Sequence, residues 1–352
     1  MYFVLYDRNL NTIGQTYILE SWNRTQRAVD FDDLKITGEQ IPVSADPFIV
    51  VANNKVGKML FSGLASTPSI DEKQKKTSIS LKDYATLFNT EIIVDWSKFT
   101  GKTVANYLTF VLDTWLNQTD VGLENILYDV SKITDIELDI NIKLGAETEN
   151  EPGAETENVS VHDLIFDAIN YYGLYYDTEL SLSKKTLTFK FLKSGVRTQE
   201  IKLADFNLSS LKKSFGEFNR ATVYKSDYSW LETWALTEDN SIVKLPSEKN
   251  LVYPAKNKNY VAADETADAV NSAIYDAAMG LAGNRYQENI DLNVQQYRSI
   301  VDLSAVDFSY NIRVYSDEGF YKTLPVGEIE SDSTGNHIVT IGYRIQELTQ
   351  EI

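Results

Sequence analysis

His162 and His337 are the only imidazoles in the chain. Proton transfer by a side chain that titrates unaided near neutral pH therefore rests on these two positions. Neither lies in an HExxH pattern or another ligand-like spacing, and no GxSxG nucleophile elbow is present. A triad would still need only that folding carry one of them beside a serine. His162 falls in the first turn of an expected helix, and His337 belongs to the turn signal Ser331-Asp-Ser-Thr-Gly-Asn336. Surface or capping roles are the favoured reading for both.

Carboxylates offer three further arrangements. In Asp135-Ile-Glu-Leu-Asp-Ile-Asn-Ile-Lys143, alternation places Asp135, Glu137 and Asp139 on one face of an expected strand. Such a row could hold a divalent cation or act as a glycosidase pair. It is also what any half-exposed strand shows, which is the favoured reading. The stretch from Asp7 begins like a calcium loop, with Asp7, Asn9 and Asn11 at alternate places. Thr12 then stands where the sharp turn needs Gly, and Ile18 where a bidentate Glu belongs, so a hairpin turn is expected instead. The third is an acidic octapeptide, Gly145-Ala-Glu-Thr-Glu-Asn150, repeated as Gly153-Ala-Glu-Thr-Glu-Asn158. It reads either as a cation or partner site or, preferably, as a duplication tolerated in an exposed loop.

Tyr228, Trp230 and Trp234 alternate through one short strand and form the candidate contact surface. They suit sugar stacking, subunit contact or simple core packing, the last being favoured. The absence of cysteine removes thiol nucleophiles and cysteine-held metals. Walker A and GxGxxG patterns are absent, and the Lys73-Gln-Lys-Lys76 cluster reads as a solvated loop. No catalytic residue, cofactor or metal site is expected.

The elements that would position these residues are mostly short strands. Phe3–Tyr6 and Thr16–Leu19 read as a hairpin, followed by apolar runs at Phe48–Val51, Met59–Phe61 and Ile79–Leu81. This spacing suggests a barrel or sandwich over residues 1–95. The texture changes over 96–205. Val104, Tyr107, Leu108, Val111, Leu112, Trp115 and Leu116 make the stripe of an amphipathic helix. Ser160 to Tyr172 predicts a second helix with Ser160 as N-cap and Gly173 as its left-handed stop. Leu174–Leu180 and Thr186–Leu192 predict a hairpin. From 206 to 352 strands return at Phe218–Tyr224, Trp230–Leu236, Ile242–Leu245, Ile290–Val294, Tyr310–Tyr315, Phe320–Ile329 and Ile338–Ile345. A helical stretch near 264–286 interrupts them, with Asp264 as the expected N-cap. The fold class expected is β-rich α+β.

The 352 residues carry 33 basic and 51 acidic side chains, a formal charge of −18. Such a surface repels nucleic-acid backbones and anionic membranes. The N-terminus lacks the basic segment of a signal peptide, and no run approaches the ~18 apolar residues of a membrane span. Synthesis in a cytoplasm and a soluble product without membrane insertion are expected.

The order of these pieces resembles the tail-hub, or tail-associated, proteins of long-tailed phages, whose fold is also found in contractile-tail and type VI spike hubs. Three passages carry the likeness: the Phe3-Val-Leu-Tyr-Asp7 hairpin; Leu60-Phe-Ser-Gly63 leading to Ser80-Leu-Lys-Asp-Tyr-Ala-Thr-Leu-Phe-Asn89 and Glu91-Ile-Ile-Val94; and Phe218-Asn-Arg-Ala-Thr-Val-Tyr224. The resemblance implies two pseudo-symmetric β-barrel-like domains, 1–95 and 206–352, around an inserted α/β domain, 96–205. It implies a homotrimeric ring at the virion tail tip, between the distal tail protein ring and tip or fibre proteins. Such a ring is shut until the tape-measure protein and DNA pass, the DNA without specific binding. Many relatives continue into a long C-terminal extension; this chain stops at Ile352, so a hydrolytic extension is not expected. The rival readings are a cell-wall hydrolase using paired carboxylates and a carbohydrate-binding adhesin built on Trp230 and Trp234.

Overall fold

In Asp33–Glu39 the apolar residues Leu34 and Ile36 alternate with Asp33 and Lys35, and in Lys76–Lys82 Ile79 and Leu81 do the same, the pattern of strands with one buried face. In the computed structural model these and their neighbours form seven strands. They are β1 (Tyr2–Tyr6), β2 (Tyr17–Arg27), β3 (Asp33–Glu39), β4 (Ile49–Asn53), β5 (Met59–Ala65), β6 (Ser69–Asp71) and β7 (Lys76–Lys82). The structure describes residues 1–14, 16–28, 31–120, 123, 125–138, 156–202, 211–214, 217–237, 241–246, 256–284, 287–293, 303, 305–316 and 319–342. The hydrogen-bonded order β1-β4-β5-β7-β3-β2 returns to β1, so these six strands close a ring, with β6 added on β7. The hairpin expected between β1 and β2 exists only as two paired positions, while β4 pairs along the full length of β1 on its other edge. Phe3, Leu5, Ile36, Val50, Phe61 and Ile79 fill the interior.

Gly38 shows how tightly the ring is drawn. It lies opposite Leu19, where β2 carries a bulge, and a Cβ there would stand 2.3 Å from the Ile18 carbonyl oxygen and 2.7 Å from the Phe3 ring. Only a residue without a side chain lets the strands approach this closely.

The next stretch supplies β8 (Glu91–Asp95), α1 (Val104–Gln118), β9 (Ile126–Asp129), β10 (Thr156–Ser160), α2 (Val161–Tyr172), β11 (Leu174–Ser181) and β12 (Thr186–Lys193). Thr103 and Asn106 close a reciprocal capping box on α1, whose stripe from Val104 to Trp115 is buried. On α2 the Ser160 hydroxyl accepts from the Asp163 N–H, and Gly173 ends the helix at φ +63°. Both ends match the sequence expectation, as does the β11–β12 hairpin.

The strand expected from Asp135 to Lys143 is not formed over its described part, 135–138. The strand lies earlier, at β9, where it pairs in parallel with β12. Ile136 and Leu138 instead bracket the start of α1: the Val104 N–H donates to the Ile136 carbonyl (3.0 Å) and the Leu138 N–H to the Lys102 carbonyl (2.9 Å). Alternation misled here because Ile133 and Ile136 reach the core from an irregular segment. Asp139 and the first octapeptide copy lie outside the described residues. The second copy is not merely loop, since Thr156–Asn158 begin β10 and pair with β8.

The last third contributes β13 (Arg197–Lys202), β14 (Leu211–Ser214), β15 (Arg220–Tyr224), β16 (Trp230–Leu236), β17 (Ile242–Leu245), β18 (Asn257–Val261), α3 (Ala267–Gly283), β19 (Gln287–Asn293), β20 (Tyr310–Ser316), β21 (Gly319–Asp332) and β22 (His337–Ile341). The molecule is β-rich α+β, with three α-helices among the described residues. Strand β21 pairs with the second half of β2, and the ladder runs on through β22, β19 and β14, with β20 and β13 on the other branch. One sheet thus continues from the first ring into the last third. Strands β15 to β18 stand apart as a sheet ordered β17-β16-β15-β18. The expected helical interruption is therefore larger than the sequence suggested, because it brings four strands with it. Helix α3 is capped by Thr266 rather than Asp264, which accepts from the Thr266 N–H (2.8 Å). Its alanines serve two faces. Ala273, Ala277 and Leu281 pack on the separate sheet, while Tyr275, Ala278 and Ala282 join the core of α1 and α2.

Replacing Gly38 by alanine is expected to lower stability by about 2 kcal/mol, the usual penalty of forcing atoms into a filled core. The measurement is the urea midpoint at unchanged slope. An unshifted midpoint would mean that β2 and β3 separate there without strain.

Candidate functional site

Among the described residues, those able to do chemistry are not gathered into a reactive centre. His162 is the second residue of α2, with Nδ1 3.0 Å from an Asp163 carboxylate oxygen and its ring stacked on Phe166 at 4.5 Å. His337 opens β22 rather than ending a turn. Its Nδ1 lies 3.1 Å from the Ser331 hydroxyl. Folding has brought a histidine to a serine, but as facing residues of the β21–β22 ladder, where register alone makes them neighbours. Asp135 is exposed and bonded to the Lys193 ammonium (2.6 Å), which holds its carboxyl below the usual range, opposite to what a general acid needs. Glu137 is likewise exposed and meets Thr103 through backbone. Asp7 closes a hairpin turn: its carboxylate accepts from the backbone N–H groups of Asn9 and Asn11, and the Asn11 contact lowers its pKa. Among the described residues, no three His, Asp or Glu groups are arranged to hold a metal ion.

The aromatic trio is divided by one irregularity. Along β16, Trp234 faces Ala221 and Glu232 faces Val223, all toward α3. A bulge between Val223 and Tyr224 then sets Trp230 opposite Tyr224, whose side chain points to the other face. Trp234 is core: its indole N–H donates to Glu232 (2.9 Å), and Lys244, bonded to the same carboxylate, lies 5.7 Å over its ring. Trp230 stays partly exposed, its indole N–H donating to Thr233 (3.0 Å). Tyr228 sits in the β15–β16 turn at φ +63° and is 75 % exposed. Sequence reasoning missed Tyr224 and Val261, which are cross-strand neighbours and extend the row to Trp230–Tyr224–Val261. Only knowledge of the parallel β15–β18 pairing would have revealed it.

A second surface, a cleft of mixed character, lies on the first ring. Ile13, Gly14, Tyr17, Gln40, Ile41 and Pro42 line a cleft of about 550 Å³. The adjoining Ile18 and Val43 are exposed.

The third feature is a charged joint. From β2, the Arg27 guanidinium donates to Glu328 on β21 (3.0 Å) and to the Phe31 carbonyl (2.8 Å), and pairs with Asp33 on β3 (2.9 Å). Arg24 donates to Asp32 (3.0 Å), which also accepts from the Arg27 N–H. The Asp32 N–H donates to Asp83 (3.1 Å), and the same Asp83 oxygen accepts from the Tyr176 hydroxyl on β11 (2.5 Å). The other Asp83 oxygen caps a 3₁₀ turn at Tyr84–Phe88 through the Ala85 N–H (2.8 Å). Burial pushes both carboxyls above the usual range, and the charge of Asp83 pushes Asp32 further.

No family model matches the chain, and no curated protein matches it in sequence. Solved structures do share the fold. A tail protein from Neisseria meningitidis aligns over 97 % of this chain and 95 % of its own, with a TM-score of 0.51 and 13 % identity. The 43 kDa tail protein of a prophage of Shewanella oneidensis aligns over 98 % of both chains, with a TM-score of 0.52 and 14 % identity. A prophage tail protein from Listeria monocytogenes covers 98 % of this chain and 95 % of its own, with a TM-score of 0.50 and 10 % identity. The resemblance read from the order of the sequence passages is thus met at the level of fold: the chain is β-rich α+β and shares the fold of these phage and prophage tail proteins.

The two tryptophans are expected to differ in consequence. Trp234→Ala should destabilise by about 3–5 kcal/mol, as truncation of a core aromatic does. Trp230→Ala should stay within about 1 kcal/mol, since its ring is only partly covered. Urea unfolding of both variants checks this; equal losses would place Trp230 in the core as well.

Proposed function

We propose that this chain is a structural subunit of a phage-type tail rather than an enzyme. The observation that carries the reading is the agreement of fold along nearly the whole of both compared chains with three tail proteins.

Within that reading we assign the finer role of a tail-tip hub. Residues 1–95 and 206–352 act as two barrel-like units, and 96–205 as the inserted α/β domain. Three copies form a ring between the distal tail ring and the tip or fibre proteins. The tape-measure protein and DNA pass through its opening. The closed six-strand order of β1-β4-β5-β7-β3-β2 supports the first unit. The formal charge of −18 supports passage without adhesion, because like charge repels a phosphate backbone. Tyr228 and Trp230 suit a subunit contact, since aromatic side chains are enriched at interfaces. The exposed, ion-paired Asp135 speaks against hydrolysis by paired carboxylates.

Light scattering across a concentration series tests the ring. A species of three times the 39.9 kDa chain is expected, and Trp230→Glu should shift it toward monomer without loss of fold. A strict monomer at every concentration, with peptidoglycan release abolished by Asp135→Asn, would replace this reading with the hydrolase.

A further inference from the structure

We propose that the tip of the β4–β5 hairpin, Lys55-Val56-Gly57-Lys58, docks on the exposed face of β8, at Glu91, Ile93 and Asp95, of a second copy of this chain. The inference rests on the reading of the chain as a ring-forming tail subunit and deepens it, by naming a contact through which one copy holds the next.

The tip is a fixed knob in open solvent. Val56 is 87 % exposed, more than any other large hydrophobic among the described residues. The Asn54 carboxamide accepts from the Val56 N–H (3.0 Å) and the Lys58 N–H (2.9 Å), and the Asn54 N–H donates to the Lys58 carbonyl (2.9 Å). Gly57 supplies the left-handed φ of +84° that this turn needs. A side chain held out by such a turn loses little freedom on binding. Lys55 and Lys58 flank the knob, both exposed, and neither meets a carboxylate among the described residues.

The face of β8 has the opposite sign around a similar centre. Alternation sends Ile92 and Val94 into the core and Glu91, Ile93 and Asp95 outward. Ile93 is 58 % exposed. Asn158 stands opposite it on β10, and its amide donates to Glu91 (2.7 Å). The backbone edge beside Ile93 is already taken, because the Gln118 side chain accepts from the Ile93 N–H (2.9 Å) and donates to its carbonyl (2.7 Å). What stays open is therefore the face. Lys98 holds one Asp95 oxygen (2.8 Å), so two carboxylates against one ammonium leave one negative charge beside Ile93. The tip brings two positive charges beside Val56. An apolar contact rimmed by opposite charges fits both steering and register.

The two surfaces cannot be one self-matching patch. Ile49 pairs with both Tyr6 and Leu64, and Leu64 with Lys82, where the chain leaves the ring toward β8. The tip follows Asn53, which pairs with Tyr2 at the other end of β1. A contact between unlike surfaces of identical copies is heterologous, and its repetition closes into a ring where the rotation allows. A two-fold dimer would set each surface against itself, and both the lysine pair and the carboxylate pair would then repel.

Sedimentation of the full chain across a concentration series tests the contact by charge reversal. Lys55→Glu with Lys58→Glu, and separately Glu91→Lys with Asp95→Lys, should each raise the concentration of half-assembly by about tenfold or more, with the urea midpoint unchanged. All four substitutions in one chain set opposite signs face to face again and should recover the native assembly. Val56→Ser leaves the charges in place and should weaken assembly through the knob alone. The docking is overturned if either reversal leaves assembly unchanged, or if the combined chain assembles no better than the reversals do. Assembly that ignores both reversals removes this contact and leaves the ring standing. A native chain that is monomeric at every concentration removes the ring and the contact together. Should a reversal fail to fold, Val56→Ser decides it.

Discussion

Strand β2 begins inside the first ring and ends as a partner of β21, and the change of allegiance happens along a run that is almost entirely polar, Ser21 to Arg27. A strand that serves two sheets cannot keep a single apolar face, because its inner and outer sides change meaning partway. Arg27 resolves the conflict where the sheets part: it binds Glu328 from one side and Asp33 and the Phe31 carbonyl from the other. A planar guanidinium with five donors can bridge three acceptors in fixed directions, which a lysine could not. The angle between the ring and the continuing sheet, and with it the placement of the α/β unit through Asp83 and Tyr176, depends on this joint.

Helix α3 forms a second seam of opposite chemistry. Small residues on both faces let it lie close to two layers at once, and its one long reach is Tyr275, whose hydroxyl donates to Asp167 on α2. Burial raises Asp167 to about 6, and burial together with the neighbouring Asp167 carboxyl pushes the Tyr275 phenol far above its ordinary value. The pair is a polar pin across this contact. It fixes how α3 is rotated between its neighbours, as alanine methyl groups alone would not.

Much of this was legible in the sequence, and the remainder was hidden for identifiable reasons. Both caps of α2 were readable because Ser160 and Gly173 act within a few residues of themselves. The stripe of α1 and the β11–β12 hairpin were readable because their patterns are local. Strands β3, β13 and β18 went unseen: β13 and β18 are polar edges, and β3 has only two apolar side chains in a charged run. The bulge that separates Trp230 from Trp234 leaves no mark in composition. The joint is the extreme case, since Arg27 and Glu328 are 301 residues apart and Asp83 and Tyr176 are 93 apart. None of these residues has a neighbour in sequence that announces its role.

The two seams differ in how they can respond to force or solvent. Apolar contact between α3 and its neighbours has no alternative partner of equal energy nearby, so it keeps its layers as one body. Charged groups at the joint of β2 do have an alternative, because water solvates a carboxylate or guanidinium that comes free. The polar run of β2 is therefore the seam at which solvent, rather than packing, competes with the native contacts.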